Sequence, residues 1–279
     1  MTTLTASAST SAAAAEANKP SFGRLMLSEW TKIRSVRSTV WSLAILIVVT
    51  LIFTALFMQM GVANWDKSDP GQQAEMRLDP TGTILGSGIL LSQLAVCVLG
   101  VMVIASEYST GMIRASLLAV PKRVPVLLAK AAVFGLLVLA VGELTAFGSF
   151  FIGAPILGDK APVAIGDPGV FQAVAGTGLY LSLVGLFALA VGAIIRHTAA
   201  SITGVIGFVL VLTPMAALLP GKVGTYVYAY LPTQAGFMIT QQQTRVGDVL
   251  GPWQGIGVLA LWTAALLAVA AVLLRRRDA

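Results

Sequence analysis

Charged residues are spread so thinly along this chain of 279 residues that the gaps between them set its architecture. Uncharged runs cover residues 38–65, 80–106, 168–195, 197–221 and 249–274, and one more, 131–158, is interrupted by Glu143 alone. About 20 apolar residues cross the hydrocarbon core of a bilayer, so every run is long enough to span. With 57% hydrophobic and 11% charged residues, against about 25% charged in soluble domains, little chain is left for a soluble domain. The expected fold is an all-α membrane protein of six transmembrane helices, at about 39–61, 82–105, 126–152, 172–195, 199–219 and 254–274. Twelve Leu, Ile, Val or Phe residues between 40 and 60 supply roughly −4 to −7 kcal/mol on the insertion scale. The first span therefore inserts unaided.

Lysine and arginine placement gives the orientation. With the N-terminus in the cytoplasm, thirteen basic residues fall inside, among them Arg24, Lys32, Arg34, Arg37, Arg123, Lys130 and Arg196, and five fall outside. The positive-inside rule then puts both termini in the cytoplasm, with a cell membrane as the expected location. The net charge of +6 sits in small clusters beside apolar runs, which fits membrane lipid and not nucleic acid. Residues 1–20, rich in Ala, Ser and Thr, read as a disordered cytoplasmic tail, and 39–279 as one six-helix transmembrane domain. Loops 61–80 and 154–168 carry Pro, Gly and Asp turn signals and read as connectors.

Two segments look able to do more than span. Over 21–38, Phe22, Leu25, Met26, Trp30, Ile33 and Val36 recur at helical spacing opposite Arg24, Ser28, Thr31, Lys32 and Arg34. This predicts an amphipathic helix lying in the inner interface, either an anchor or also a surface for a cytoplasmic partner. Residues 106–125 form the sizeable cytoplasmic connection. Here 107–118 can form a short helix with Glu107, Thr110 and Arg114 towards the cytosol, ended by Pro121 and Pro125; the alternative is a plain basic loop. A short helix tied at both ends to spanning helices can pass a push into the bundle as a rigid-body tilt.

Glu107-Tyr-Ser-Thr-Gly111-Met-Ile-Arg114, followed by Leu118, Pro121, Arg123 and Lys130, and the opening Glu29-Trp30-Thr31-Lys32-Ile33-Arg34-Ser35, resemble the membrane permease of type-2 ATP-binding-cassette (ABC) exporters over about residues 22–277. The resemblance implies a partner: a separate cytoplasmic ABC ATPase that holds the ATP and Mg, with no cofactor on this chain. It also implies a second permease copy, identical or related. ATPase coupling would then fall on Glu107, Tyr108, Ser109, Thr110, Gly111, Met112 and Arg114, and a further ATPase contact on Glu29, Trp30, Lys32 and Arg34 of the interfacial helix. Many relatives carry a second acid and a threonine beside the glycine, where this chain has Ser109 and Met112.

Glu143 lies inside the third span, roughly 26 Å from Val126 at 1.5 Å per residue, towards the outer half. Its cost of roughly 2.5 to 3.5 kcal/mol is outweighed by the fifteen Leu, Ile, Val and Phe residues of 126–152. Glu143 and Gln93 are candidate translocation-path residues; the alternative is a protonated carboxyl hydrogen-bonded by Gln93, Thr145 or a neighbouring helix. Around Leu231-Pro232-Thr233 the chain reads as either a re-entrant or interfacial helix pair or an aromatic belt. The pairs Gly82 with Gly86, Gly178 with Ser182 and Gly251 with Gly255 permit close helix approach.

Enzyme classes fail on inventory. No phosphate-binding GxxxxGK[ST] loop, HExxH or GxSxG occurs, so no catalytic residue is expected and energy comes from elsewhere. One cysteine, Cys97, and one histidine, His197, leave no His- or Cys-rich metal set, and none is expected. An exporter permease is the leading reading. The alternatives are an ion-driven carrier or channel, which calls for more intramembrane charge than Glu143 supplies, or a non-transporting anchor subunit.

Overall fold

The computed structural model describes residues 21–112, 123–244 and 247–276. In chain order the helices are α1 (Phe22–Ser35), α2 (Arg37–Ala63), α3 (Pro70–Leu78), α4 (Pro80–Ser109), α5 (Arg123–Leu157) and α6 (Val170–Ile195). Then come α7 (Thr198–Gly207), which passes through a π-helical turn, Phe208–Leu212, into α8 (Thr213–Ala217), and α9 (Gly221–Ala229), α10 (Pro232–Phe237) and α11 (Pro252–Arg276). Six are long and apolar enough to cross a membrane: α2, α4, α5, α6, the α7–α8 unit and α11. No strand occurs among the described residues. The all-α membrane fold read from the charge gaps is therefore the observed one.

Helix starts follow local chemistry. Asp69 and Asp79 each precede a proline at the first helical position and accept from the N–H of Gly71 at 2.9 Å and of Gly82 at 2.7 Å. Such caps satisfy backbone donors that a helix start leaves open. Helix ends are harder to read. α4 runs on to Ser109 and α5 to Leu157, beyond the apolar stretches 82–105 and 126–152. Hydropathy marks where lipid ends, whereas a helix continues as long as its residues and neighbours permit.

The centre of the bundle is the contact between α4 and α6. Gly100 of α4 sits so close to α6 that an added Cβ would lie 2.4 Å from the Gly185 carbonyl oxygen. Around this contact Val96, Val101, Phe134, Tyr180, Leu181 and Leu189 form a buried apolar core. α5 joins it where Gly142 meets Gly178, and the Ser182 hydroxyl donates to the Gly135 carbonyl at 2.8 Å. The Gly178 and Ser182 pair is thus a packing face. A hydroxyl ladder ties α2 to its neighbours: Thr50 with Ser92 at 2.8 Å, Ser87 to Thr54 at 3.2 Å and Thr54 to Ser149 at 3.4 Å. Interhelical hydroxyl bonds of this kind replace the hydrophobic driving force that lipid cannot provide.

At the far end of the bundle from α1, the loops are pinned by Trp65, 4% exposed, with the Arg77 guanidinium 5.2 Å and the Lys160 ammonium 5.9 Å from its ring centre. Arg77 also donates to the Lys160 carbonyl at 3.2 Å. The connectors 61–80 and 154–168 are therefore knitted to each other. Trp65→Ala is expected to cost about 3–5 kcal/mol, read as a lower melting temperature in detergent; an unchanged melt would show the ring to be a passive cover.

Thr213 and Pro214 explain the π-turn. Pro214 has no N–H for the helical ladder, and the Thr213 hydroxyl reaches back five residues to the Phe208 carbonyl at 3.1 Å. Thr213 also pairs with Thr233 at 3.1 Å, which links α8 to α10. Between α8 and α11 the chain makes a helix pair broken at Tyr230-Leu231. α9 is largely exposed, while α10 turns inward: Gly236 packs on Tyr180 and Leu259, and the Phe237 ring meets Tyr180 edge-on at 6.4 Å. Tyr180 lies ten residues into α6, about 15 Å along its axis, so α10 reaches deep between the spans.

Candidate functional site: a charged node joining three helix ends

α1 is held to the bundle by its apolar face. Leu25, Glu29 and Ile33 recur every four residues and are the buried positions of the helix. The acid at the middle of that face is 3% exposed. Glu107, in the last turn of α4, is equally buried, and Lys130, two turns into α5, is 2% exposed. Lys130 Nζ donates to Glu29 Oε2 at 2.5 Å and to Glu107 Oε1 at 2.8 Å. Lys32 Nζ closes the figure from the solvent side, donating to Glu29 Oε1 at 2.6 Å and to Glu107 Oε1 at 3.2 Å.

Two acids and two lysines leave the node neutral. That matters because a buried unpaired charge costs several kcal/mol, whereas a balanced and hydrogen-bonded group is tolerated. Burial alone would lower the Lys32 pKa, but its hydrogen bond to Glu29 and the charges of Glu107 and Glu29 outweigh this and hold it above the ordinary 10.5. A raised lysine pKa stabilises the folded state below the unfolded value and loses that contribution as pH climbs through the folded one. The Lys32 link therefore persists through neutral pH and weakens above 10.5.

The rest of the predicted coupling segment divides around this node. Ser109 and Thr110 donate their hydroxyls to the Ser106 carbonyl at 3.0 and 2.8 Å, and Gly111, at φ +71°, ends the helix. A positive φ there is a conformation glycine adopts without steric penalty. Met112 is 46% exposed, and Tyr108 lies under the Arg196 guanidinium at 5.1 Å. Arg114, and with it the stretch 113–122, lies outside the described residues. The sequence reading is thus corrected in one respect. Glu107 does not present its charge to the cytosol and Thr110 does not present a free hydroxyl, because residues 107–109 continue the α4 helix and the acid turns inward to Lys130. On α1, Glu29 also faces inward, while Trp30, 44% exposed, and Arg34 face outward.

Lys130 is the member that sequence reasoning missed. The sequence reading counts it among the inner basic residues, at the inner end of the expected span 126–152, and pairs it with no acid. The signal was its position beyond Pro125, inside the helix, where a lysine requires an acid. Arg196 is a second such case: at φ +60° it ends α6, its Nη2 donates to the Leu273 carbonyl at 3.3 Å, and its charge lies over Tyr108. His197 beside it caps α7, with Nδ1 accepting the Ala200 N–H at 3.2 Å, so its imidazole is engaged in structure.

Glu143 and Gln93 are not brought together. Gln93 is 6% exposed and accepts the Tyr180 hydroxyl inside the core, so in this arrangement it lines no open path. Glu143 is partly buried beside Gly178, and its Oε2 has no hydrogen-bond partner among the described residues. Thr145 donates to its own helix at Val141. The alternative of a Glu143 carboxyl hydrogen-bonded by Gln93, Thr145 or a neighbouring helix finds no such partner for Oε2 among the described residues. Among the described residues no group of three or more His, Cys, Asp or Glu is placed to hold a metal ion.

A family described as "ABC-2 family transporter protein" has a model that matches residues 25–214, about two thirds of the chain. The matched stretch starts in α1 and ends in α8, and so includes every member of the node. No curated protein matches the chain.

Proposed function

Because the chain belongs to the ABC-2 family of transporter permeases, we propose that it is the transmembrane half of an exporter, working as a pair of permease copies on a separate cytoplasmic ATPase. ATP and Mg are held by that ATPase. Its contact surface on this chain is the outer face of α1, with Trp30 and Arg34, together with the segment 108–114 that follows on from α4. Both termini lie in the cytoplasm, on the side favoured by the thirteen inner basic residues.

The observation that carries this reading is Lys130 joining Glu29 and Glu107. A push on α1 or on the α4 end meets one rigid cluster and is passed to α4 and α5 together; without the cluster the two contacts would move separately. Bundles respond to such input by rigid-body shifts of packed helices. The expected result is that tagged protein purified from its native cells brings down an ATPase, and that reconstitution with this permease raises ATP turnover. Recovery of no ATPase from cells that express the neighbouring ATPase gene would overturn the proposal.

The unpartnered Glu143 Oε2 supports a place in the translocation path, at the contact of α5 and α6. Glu143→Gln is expected to lower export while ATPase co-purification stays as in wild type. Export equal to wild type with equal assembly would remove Glu143 from the mechanism. A second reading, an ion-driven carrier, rests on the same residue and predicts that transport follows the proton gradient in the absence of ATP.

A further inference from the structure

Beside the charged node a cavity of about 330 Å³ opens between α1, α2 and α4. Its walls differ in chemistry. Glu29, Lys32 and Glu107 form one end, and Leu99, Met102 and Val103 of α4 form the other. Along α2, Ser38, Thr39 and Ser42 share one helix face towards the cavity, and their hydroxyls make no hydrogen bond among the described residues. Met102 is 45% exposed, so the apolar end is open to the lipid side.

We propose that this cavity binds the headgroup of a phosphoethanolamine-type glycerophospholipid from the adjoining leaflet, with the start of an acyl chain against Leu99, Met102 and Val103. The volume is at the small end of the range for ligand pockets, about 300–1,000 Å³, enough for a headgroup and little more. Phosphate oxygens only accept hydrogen bonds, and the hydroxyls of Ser38, Thr39 and Ser42 offer them donors. The node beneath is already balanced, two acids against two lysines, so it does not select a lipid of net negative charge. Glu107 adds the selective element. Its Oε2 is buried without a hydrogen-bond partner among the described residues, and an N–H donor would satisfy it. An ethanolamine ammonium has N–H groups and a choline has none.

The site would tie the lipid to the same helix ends that the node joins, whether or not an ATPase docks there. The test uses the full-length protein, stripped of lipid in detergent, with native mass spectrometry and thermal melting as readouts. The probes are phosphatidylethanolamine, phosphatidylcholine and phosphatidylglycerol of one acyl composition, and free phosphoethanolamine. Phosphatidylethanolamine is expected to bind about tenfold tighter than phosphatidylcholine, the size of one hydrogen bond to a charged group. Free phosphoethanolamine should leave the melt unchanged. Met102→Trp and Ser42→Trp fill the cavity from opposite walls and should each lose the bound lipid, their melts before lipid addition reporting on folding. Equal binding of the ethanolamine and choline lipids, tighter binding of phosphatidylglycerol, a shift with free phosphoethanolamine alone, or retention of lipid by both tryptophan variants would each overturn the proposal.

Discussion

Lys130→Met is expected to destabilise the bundle by about 3–5 kcal/mol, the cost of leaving buried acids uncompensated. Glu29 and Glu107 would be left with Lys32 as their cation, and Lys32 stands on the solvent side of both. The loss would appear as a lower melting temperature in detergent and as poor recovery of folded protein. A companion variant separates charge from fold. Glu29→Gln, Glu107→Gln and Lys130→Met together remove the three buried charges and leave only Lys32, whose side chain is 29% exposed on the solvent side, and neutral replacements of buried ionic groups are often close to neutral in stability. The triple variant should therefore melt near wild type while its stimulation of ATP turnover falls, because α1 and the α4 end are no longer locked to α5. If Lys130→Met alone melts like wild type, the node is not a structural joint, and the transmission argument built on it falls as well.

The node also shows what the residues declare in one dimension. Of the twelve acids in the chain, seven lie in the outer loops and Glu143 lies inside a span. Glu29 and Glu107 stand apart, each among inner basic residues. Charge counting assigned them to the cytosolic surface, since it records which side of the membrane a residue is on and not which way it points. The direction depends on Lys130, which lies 101 residues from Glu29 and 23 from Glu107 and is reachable only through the helix packing. The six spans were legible because each is a local property of some twenty residues. Turns such as Arg196-His197 were legible for the same reason. The depth reached by α10 was not, because it follows from contacts, Thr213 with Thr233 and Gly236 with Tyr180, between segments that only the folded chain brings together.

Gly100→Leu is the packing counterpart of the charge experiment and should abolish the folded bundle. A Cβ at Gly100 would lie 2.4 Å from the Gly185 carbonyl oxygen and 3.2 Å from the Leu189 backbone nitrogen. Backbone atoms of a central helix cannot rotate aside as a side chain can, so α4 and α6 would have to separate and open the core around Val96, Val101 and Leu189. Overpacking costs typically 1–3 kcal/mol when side chains yield; here the obstacle is main chain, and the expected loss exceeds about 3 kcal/mol, seen as aggregation on size-exclusion chromatography. Gly257→Leu is the control, because nothing lies within 4 Å of a Cβ at that exposed position of α11, and it should behave as wild type. The contrast bears on mechanism. If α4 and α6 tolerate no separation, an export cycle cannot run by parting them, and the movement must be carried by the helices less deeply packed, α2, the α7–α8 unit and α11, whose spans are 22%, 28% and 22% buried against 61% and 67% for α4 and α6. A folded, transport-competent Gly100→Leu would show instead that the central contact opens, and the rigid element of the permease would have to be sought elsewhere.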